Sequence, residues 1–141
     1  MIKLLTIAVL LLSSSIGLAN DLTVQVTGLK STTGNLLIAL FNNAQGFPND
    51  NKMAIEKIIS PVNYNFTSTI KNLKAGTYSV AIFHDKNKDE ILNTNILGIP
   101  KEGFGFSMNP KITVGAPRFN KSSFVVSEEK RKTITFRLKH Y

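Results

Sequence analysis

The sequence contains no cysteine and no tryptophan, and its 9 acidic residues are outnumbered by 17 lysines and arginines. Without cysteine the chain can form no disulfide and offers neither a thiol nucleophile nor a thiolate ligand for a soft metal. The fold must therefore be stable through its hydrophobic core, alone or together with a bound ion. The formal net charge of +8 favours acidic partners, although it also serves simply to keep a protein in solution.

Long hydrophobic runs are absent except at the amino terminus. Residues 4–12 are uncharged, follow Lys3, and precede small residues at Gly17 and Ala19. This run is much shorter than the roughly 20 residues that a membrane-spanning helix needs, so the pattern predicts a signal peptide over residues 1–19 and no transmembrane segment. We therefore expect an exported protein, periplasmic or extracellular. Its partner is unknown, with an anionic envelope component as the candidate, and nucleic acid is not expected.

Helical periodicity is also scarce, and only residues 52–59 are expected to form a turn or two of helix. The rest of the chain alternates apolar and polar residues in short runs bounded by Gly, Asn or Pro, which predicts strands with one buried face. Residues 36–41 are apolar on both faces and predict a more central strand. The pattern predicts an all-β fold, a single antiparallel β-sandwich over residues 20–141, immunoglobulin-like or transthyretin-like. The predicted strands cover residues 22–27, 36–41, 64–70, 78–83, 112–114, 124–126 and 133–138.

The longest segment without a strand pattern, residues 85–111, is rich in oxygen-bearing side chains. Loops of this length inside compact domains are usually functional or held by specific contacts. Calcium loops place oxygen ligands at alternate positions and add a backbone carbonyl near the seventh position. The spacing here predicts five candidate calcium ligands, with Ile91 contributing its carbonyl: Asp85, Asn87, Asp89, Ile91 and Asn93.

Two positions of this loop depart from the EF-hand pattern. Glu90 replaces the glycine that permits the sharp turn, and Ile96 stands where a bidentate carboxylate belongs, unless Glu102 folds back to replace it. The alternative needs no ion, because Asx-turns hold a loop by accepting backbone N–H groups. Such turns are expected at Asp85, Asn87 and Asn95. Either a calcium ion or the Asx-turns alone would hold this loop, so the sequence does not establish calcium as a cofactor.

Two adjoining motifs in this region resemble a known family. The first begins at His84 and reads His-Asp-x-Asn-x-Asp, and the second covers residues 98–107 and reads Gly-Ile-Pro-Lys-Glu-Gly-Phe-Gly-Phe-Ser. Together they resemble an uncharacterised family of bacterial exported proteins, domain of unknown function 2141 (DUF2141), and the resemblance extends over residues 34–136. It implies an exported β-sandwich and no settled activity. The matching residues are His84, Asp85, Asn87, Asn95, Gly98, Pro100, Glu102, Gly103, Gly105, Phe106, Ser107 and Asn109.

The chain departs from the family pattern at three places. Asp89 and Glu90 stand where the family has Asn-Gly, Asn93 replaces Asp, and Met108 replaces Asn. Because the turn glycine and one carboxylate are lost, the resemblance implies weaker calcium binding in this member than in the family at large.

Signatures of catalysis are few. His84 ends a predicted strand on the face that points to the core, so we expect a partly buried histidine bonded to a loop carbonyl. Residues 105–109 fail the Gly-x-Ser-x-Gly pattern of a nucleophile elbow at the final position. We therefore expect no enzymatic activity. The alternative, an envelope hydrolase, would use His84, Asp85, Glu102 and Ser107 at the mouth of the loop.

These patterns favour a non-enzymatic binding or accessory module whose loop, residues 85–109, forms the surface for a ligand or partner. Residues 98–109 are expected to close over the sandwich end with Phe106 buried, or alternatively to line a shallow pocket with an exposed Phe104. A third possibility is a purely structural envelope-surface protein whose basic residues 131–139 rest on an anionic surface. The residues expected to organise the loop or bind the ligand are His84, Asn95, Glu102, Ser107 and Asn109.

Overall fold

The computed structural model describes residues 20–128 and 130–141, so the predicted signal peptide lies outside the described residues. The strands in these ranges are β1 (Leu22–Thr27), β2 (Asn35–Phe41), β3 (Glu56–Pro61), β4 (Phe66–Ile70), β5 (Gly76–Asp85), β6 (Phe104–Phe106), β7 (Phe124–Val126) and β8 (Lys132–Arg137). A 3-10 helix covers Asn51–Met53, and the short helix α1 covers Phe119–Ser122. In these two ranges we find no helix with the length and apolar character needed to cross a bilayer.

The strands form two sheets that pack face to face, which confirms the predicted all-β sandwich. Sheet A has the order β4-β1-β8, and sheet B has the order β3-β2-β5-β6, with β7 pairing with the first residues of β5. One pairing differs from the expected antiparallel arrangement, because β1 and β8 run parallel with Val24 opposite Ile134. These strands lie near opposite ends of the described chain, so no tight hairpin forces them to be antiparallel.

The period of two in the sequence produces the core between the sheets. In β1, Leu22, Val24 and Val26 are buried, while the residues between them lie on the outer face. Ile134 and Phe136 of β8 alternate in the same way and join one cluster with residues of sheet B. Full burial of a side chain of this size stabilises the fold by about 1.5–3 kcal/mol.

Sheet B is buried on both faces, as the apolar run in β2 predicts. Every residue of β2 after Asn35 is buried. A second apolar cluster therefore lies on the outer face of this sheet, away from sheet A. It contains Leu37, Ala39, Phe41, Ala81, Phe104 and Phe106. Side chains from the covering loops and from α1 pack against it, including Phe47, Leu92, Ile112 and Phe119.

Three predicted elements differ in the structure. In residues 52–59 the expected helix is limited to the single 3-10 turn Asn51–Met53, and Glu56–Pro61 is the edge strand β3. Residues 112–114 are not a strand, whereas residues 104–106 are. Pairing of β6 with β5 buries both Phe104 and Phe106, so the expected burial of Phe106 is confirmed and the alternative with an exposed Phe104 is wrong.

Candidate functional site

The loop after β5 begins with a buried carboxylate. Asp85 is 1 % exposed, and its two oxygens accept the backbone N–H groups of Asp89 at 3.2 Å and Glu90 at 2.9 Å. Hydrogen bonds to a charged acceptor are stronger than those between neutral groups. Asp85 therefore folds the first residues of the loop back over the end of β5, but its donors lie four and five residues on, so it does not form the predicted Asx-turn.

A second buried carboxylate closes the same loop from its other end. Glu102 is 5 % exposed, and it accepts the N–H of Lys86 at 2.8 Å and the N–H of Asn93 at 3.0 Å. It thus joins the start, the middle and the end of the loop. Both oxygens are occupied by backbone donors, so Glu102 acts here as a structural tie and does not point into open solvent.

Three of the five candidate calcium ligands meet on the exposed side of the loop. Asn87 and Asn93 donate side-chain N–H groups to one oxygen of Asp89, at 2.7 and 2.9 Å, and the N–H of Ile91 donates to the other oxygen. The contact with Asn93, followed by that with Ile91, lowers the pKa of Asp89. In residues 20–128 and 130–141, no three His, Asp or Glu side chains are grouped as metal ligands. The calcium site therefore stays a prediction.

Asn95 organises the far end of the loop. Its side-chain oxygen accepts the N–H groups of Leu97 at 2.9 Å and Ile99 at 3.0 Å. The N–H of Asn95 donates to the carbonyl of Ile99 at 2.9 Å. The tip, residues 95–99, is consequently a defined turn.

His84 and Ser107 are both fully buried. His84 Nε2 donates to the carbonyl of Thr33 at 2.6 Å, and Nδ1 has no hydrogen-bond partner among the described residues. The Ser107 hydroxyl donates to the carbonyl of Ser122 and accepts the N–H of Val80. Neither side chain faces an open cleft, so this geometry gives no support to the hydrolase alternative that combines them with the two buried carboxylates.

Asn109 covers the free edge of β8. Its side-chain N–H donates to the carbonyl of Thr135 at 2.8 Å, and its side-chain oxygen accepts the N–H of Arg137 at 3.1 Å. The amide group thus makes the two bonds that a neighbouring strand would make. Exposed strand edges promote aggregation, so Asn109 has a structural role at this position.

An apolar groove of about 1100 Å³ lies on the outer face of sheet B. Ala39 of β2 and Ala81 of β5 stand opposite each other on its floor, and the larger Leu37, Phe83 and Phe106 surround them. The walls come from residues 48–52, which include part of the 3-10 helix, and from loop residues 88–92, 97–100, 112–113 and 115–116. The loops rest on these larger side chains. The methyl groups of Ala39 and Ala81 are too small to fill the space beneath the loops, so a depression remains.

Lysines stand at the rim of this groove. Lys52, Lys57 and Lys88 all line it. Lys57 pairs with Glu90 at 2.8 Å, which is the only salt bridge in the part of the chain that the structure describes. Asp50, also at the rim, accepts the backbone N–H of Lys52 and caps the 3-10 helix. Two ammonium groups beside the groove are thus without a carboxylate partner in the described residues.

The sequence pattern placed the ligand surface on the loop but did not identify the groove floor or its lysines. Two features of the sequence indicate this groove. Residues 36–41 are apolar on both faces, which indicates a covered outer face. Ala39 and Ala81 are small residues among large apolar ones, and small residues on a covered face leave space.

Comparison with known proteins adds one finding. A family model described as "Uncharacterized protein conserved in bacteria (DUF2141)" matches residues 24–135. No curated protein and no solved structure matches the chain. The matched range includes the whole loop after β5 and every lining segment of the groove except Tyr141.

Proposed function

This chain belongs to DUF2141, a family conserved in bacteria, and we propose that it acts as an exported, non-enzymatic binding module. The ligand in this proposal is an anionic amphiphile with a single apolar chain, held in the groove on the outer face of sheet B. Export to the periplasm or the exterior is part of the proposal and rests on the signal-peptide pattern of residues 1–19.

The groove is the observation that carries the proposal. Small-molecule sites are typically concave, mostly apolar and roughly 300–1000 Å³ in volume, with a few polar groups that orient the ligand. This groove has about 1100 Å³ and a floor of alanine, leucine and phenylalanine side chains. Transfer of an apolar chain from water to such a surface contributes about 25 cal/mol for each Å² that is buried.

The rim supports an anionic head group. Lys52 and Lys88 lie beside the groove without a carboxylate partner in the described residues. Three carboxylates also line the groove: Glu90 pairs with Lys57, whereas Asp50 and Asp89 accept neutral N–H groups and keep their negative charge. A carboxylate or phosphate between Lys52 and Lys88 would bind two ammonium groups that form no ion pair among the described residues.

Displacement of the fluorescent fatty acid cis-parinaric acid by palmitate tests the apolar part of the site. We expect saturable binding to the wild type and at least tenfold weaker binding to Ala81→Leu, which fills the floor. Ala75→Leu is the matched control, because Ala75 is exposed and does not line the groove. Circular dichroism and melting curves establish that each variant is folded. Absence of saturable binding to the wild type, or equal affinity of Ala81→Leu and Ala75→Leu for the fatty acid, would reject the proposal.

Charge reversal at the rim tests the head group. Lys52→Glu combined with Lys88→Glu should weaken palmitate binding severalfold and leave binding of hexadecanol, the neutral alcohol of equal length, nearly unchanged. Lys71→Glu combined with Lys74→Glu is the control, since both lysines are exposed and lie outside the groove. Equal losses of affinity for palmitate and hexadecanol would show that the charges of Lys52 and Lys88 do not contribute to binding.

Calcium at the loop is a second candidate, in which Asn87 and Asn93, which here donate N–H groups to Asp89, would turn their amide oxygens to the ion. Millimolar calcium should then raise the melting temperature of the wild type saturably and leave that of Asp89→Ala unchanged. Asp21→Ala, a carboxylate variant outside the loop, should keep the rise. A wild type that does not respond would exclude this candidate and leave the turns of Asp85 and Glu102 to hold the loop alone.

A further inference from the structure

Two loop tips beside the groove, residues 95–99 and 113–115, carry aliphatic side chains that are largely exposed. Ile96 is 102 % exposed, Leu97 77 % and Val114 94 %. Each tip turns at a glycine with positive φ, Gly98 at +75° and Gly115 at +67°. Burial of such side chains is worth about 1.5–3 kcal/mol each, so their display on two neighbouring tips indicates an interaction surface.

The first tip is held in this exposed arrangement. The side-chain oxygen of Asn95 accepts the N–H groups of Leu97 and Ile99, so the turn is fixed while the side chain of Ile96 points to solvent. Because the turn is already ordered, little conformational entropy is lost when its apolar side chains are buried by a partner.

Both tips belong to the mouth of the groove. Leu97, Gly98 and Gly115 line the groove, whereas Ile96 and Val114 do not. A surface that covers Ile96 and Val114 would therefore lie directly against the opening. The two side chains can also be changed without altering the lining of the groove.

The exposed charge of residues 85–111, the segment that carries the first tip, is positive. Lys86, Lys88, Lys101 and Lys111 in the same region are all exposed. The acids Asp85 and Glu102 are buried against backbone N–H groups, which leaves Asp89 and Glu90 as the exposed carboxylates of residues 85–111. Lysines near an anionic bilayer contribute about 1 kcal/mol each to its attraction.

We propose that the tips, residues 95–99 and 113–115, dock this protein onto the surface of an anionic lipid bilayer. Ile96, Leu97 and Val114 enter the boundary between head groups and acyl chains, and the surrounding lysines meet anionic head groups. The inference rests on the proposed function in one respect, since docking brings the groove mouth to the source of a single-chain amphiphile.

Flotation with vesicles of phosphatidylglycerol and phosphatidylcholine tests the docking. The wild type should bind these vesicles, bind pure phosphatidylcholine at least tenfold more weakly, and lose affinity as salt rises. Ile96→Ser combined with Val114→Ser should reduce binding at least tenfold. Val125→Ser is the matched control, because Val125 is 59 % exposed on β7, and it should bind like the wild type.

The two proposals fail in different ways. Ala81→Leu should no longer bind the fatty acid probe but should still bind the anionic vesicles. The double serine variant should still bind the probe but should no longer bind the vesicles. Docking is overturned if the wild type does not bind the anionic vesicles, or if the serine variant binds them as well as Val125→Ser does. It is also overturned if the serine substitutions abolish only self-association in gel filtration, which would make a second copy the partner.

Discussion

At the scale of single residues, the loop after β5 is held by carboxylates whose oxygens accept backbone N–H groups. Asp85 and Glu102 are almost completely buried, and each accepts two N–H groups. Buried polar groups need such partners because their desolvation otherwise destabilises the fold. The two residues thus order the loop that forms one wall of the groove.

Asp89 is the exposed member of this network, and its pKa lies below the ordinary value of 3.8. The side chain of Asn93 is the largest cause, so Asn93→Ala should raise the pKa of Asp89 towards its ordinary value. A carboxyl with a lowered pKa stabilises the folded state above its unfolded pKa and loses that contribution as the pH falls through its folded pKa.

We therefore expect the contribution of Asp89 to be complete at neutral pH and to disappear only below pH 3.8. Carbon-13 NMR titration of the side-chain carboxyl in the wild type and in Asn93→Ala measures both values. Asn63→Ala, which removes an amide outside the loop, should leave the titration unchanged. A wild-type pKa at or above the ordinary value would contradict the observed contacts.

Glu90 has a left-handed backbone with φ of +61°, at the position where the family pattern has glycine. This conformation costs a residue with a Cβ about 1–2 kcal/mol. Glu90→Gly should therefore be about 1 kcal/mol more stable than Glu90→Ala, since both variants lose the exposed pair with Lys57 and only glycine relieves the backbone. Urea unfolding of the two variants measures the difference. Equal stabilities would show that the left-handed conformation is not retained in solution.

At the scale of elements, Ser107 continues the hydrogen bonding of β5 between its two partner strands. Strand β6 pairs with residues 81–83 of β5, and β7 pairs with residues 76–78. Between them, the N–H of Ser107 donates to the carbonyl of Val80 at 2.9 Å, and the N–H of Val80 donates to the Ser107 hydroxyl at 2.9 Å. The hydroxyl also donates to the carbonyl of Ser122, so one side chain joins three segments.

Ser107→Ala should destabilise the protein by about 1–3 kcal/mol, because the buried N–H of Val80 and the carbonyl of Ser122 lose their partner. Ser123→Ala is the control. Its half-buried hydroxyl makes one long contact of 3.4 Å with Asn120, so the expected change is within about 0.5 kcal/mol. Denaturant unfolding gives both values, and faster hydrogen exchange of the Val80 amide in Ser107→Ala would locate the effect. Equal stability of the two variants would refute the role of Ser107.

At the scale of the whole molecule, a chain without cysteine depends on the packing of its two sheets. The inner cluster draws residues from both sheets, and the second cluster holds the loops against the outer face of sheet B. The inner packing holds the sandwich together, while the outer packing shapes the groove. Substitutions in the two clusters should therefore affect different properties.

The same substitution at two valines tests the inner packing. Val24 of β1 is completely buried between the sheets, whereas Val125 of β7 is 59 % exposed. Val24→Ala should destabilise the protein by about 2 kcal/mol, through lost transfer energy and a small cavity, and Val125→Ala by no more than about 0.5 kcal/mol. Thermal and urea unfolding measure both. A loss at Val125 as large as that at Val24 would contradict this description of the core.

Much of the fold could be predicted because strand alternation is a local property. The runs that became β1, β2, β5 and β8 each show a buried side in the sequence itself. Strand β3 was missed because its residues do not alternate cleanly, and pairing with β2 defines it. Strand β6 was missed because Phe104 and Phe106 enclose only one residue, which is too short a pattern to separate from a loop.

The sequence by itself determined the β class, the central place of β2, and the oxygen-rich loop. Each of these depends on residues close together in the chain. Only the tertiary structure decided where Ser107, Glu102 and Asn109 find their backbone partners. It also decided the groove, because Ala39 and Ala81 become neighbours through the pairing of β2 with β5. The space above two small side chains depends on what distant loops leave unfilled, and no local periodicity records it.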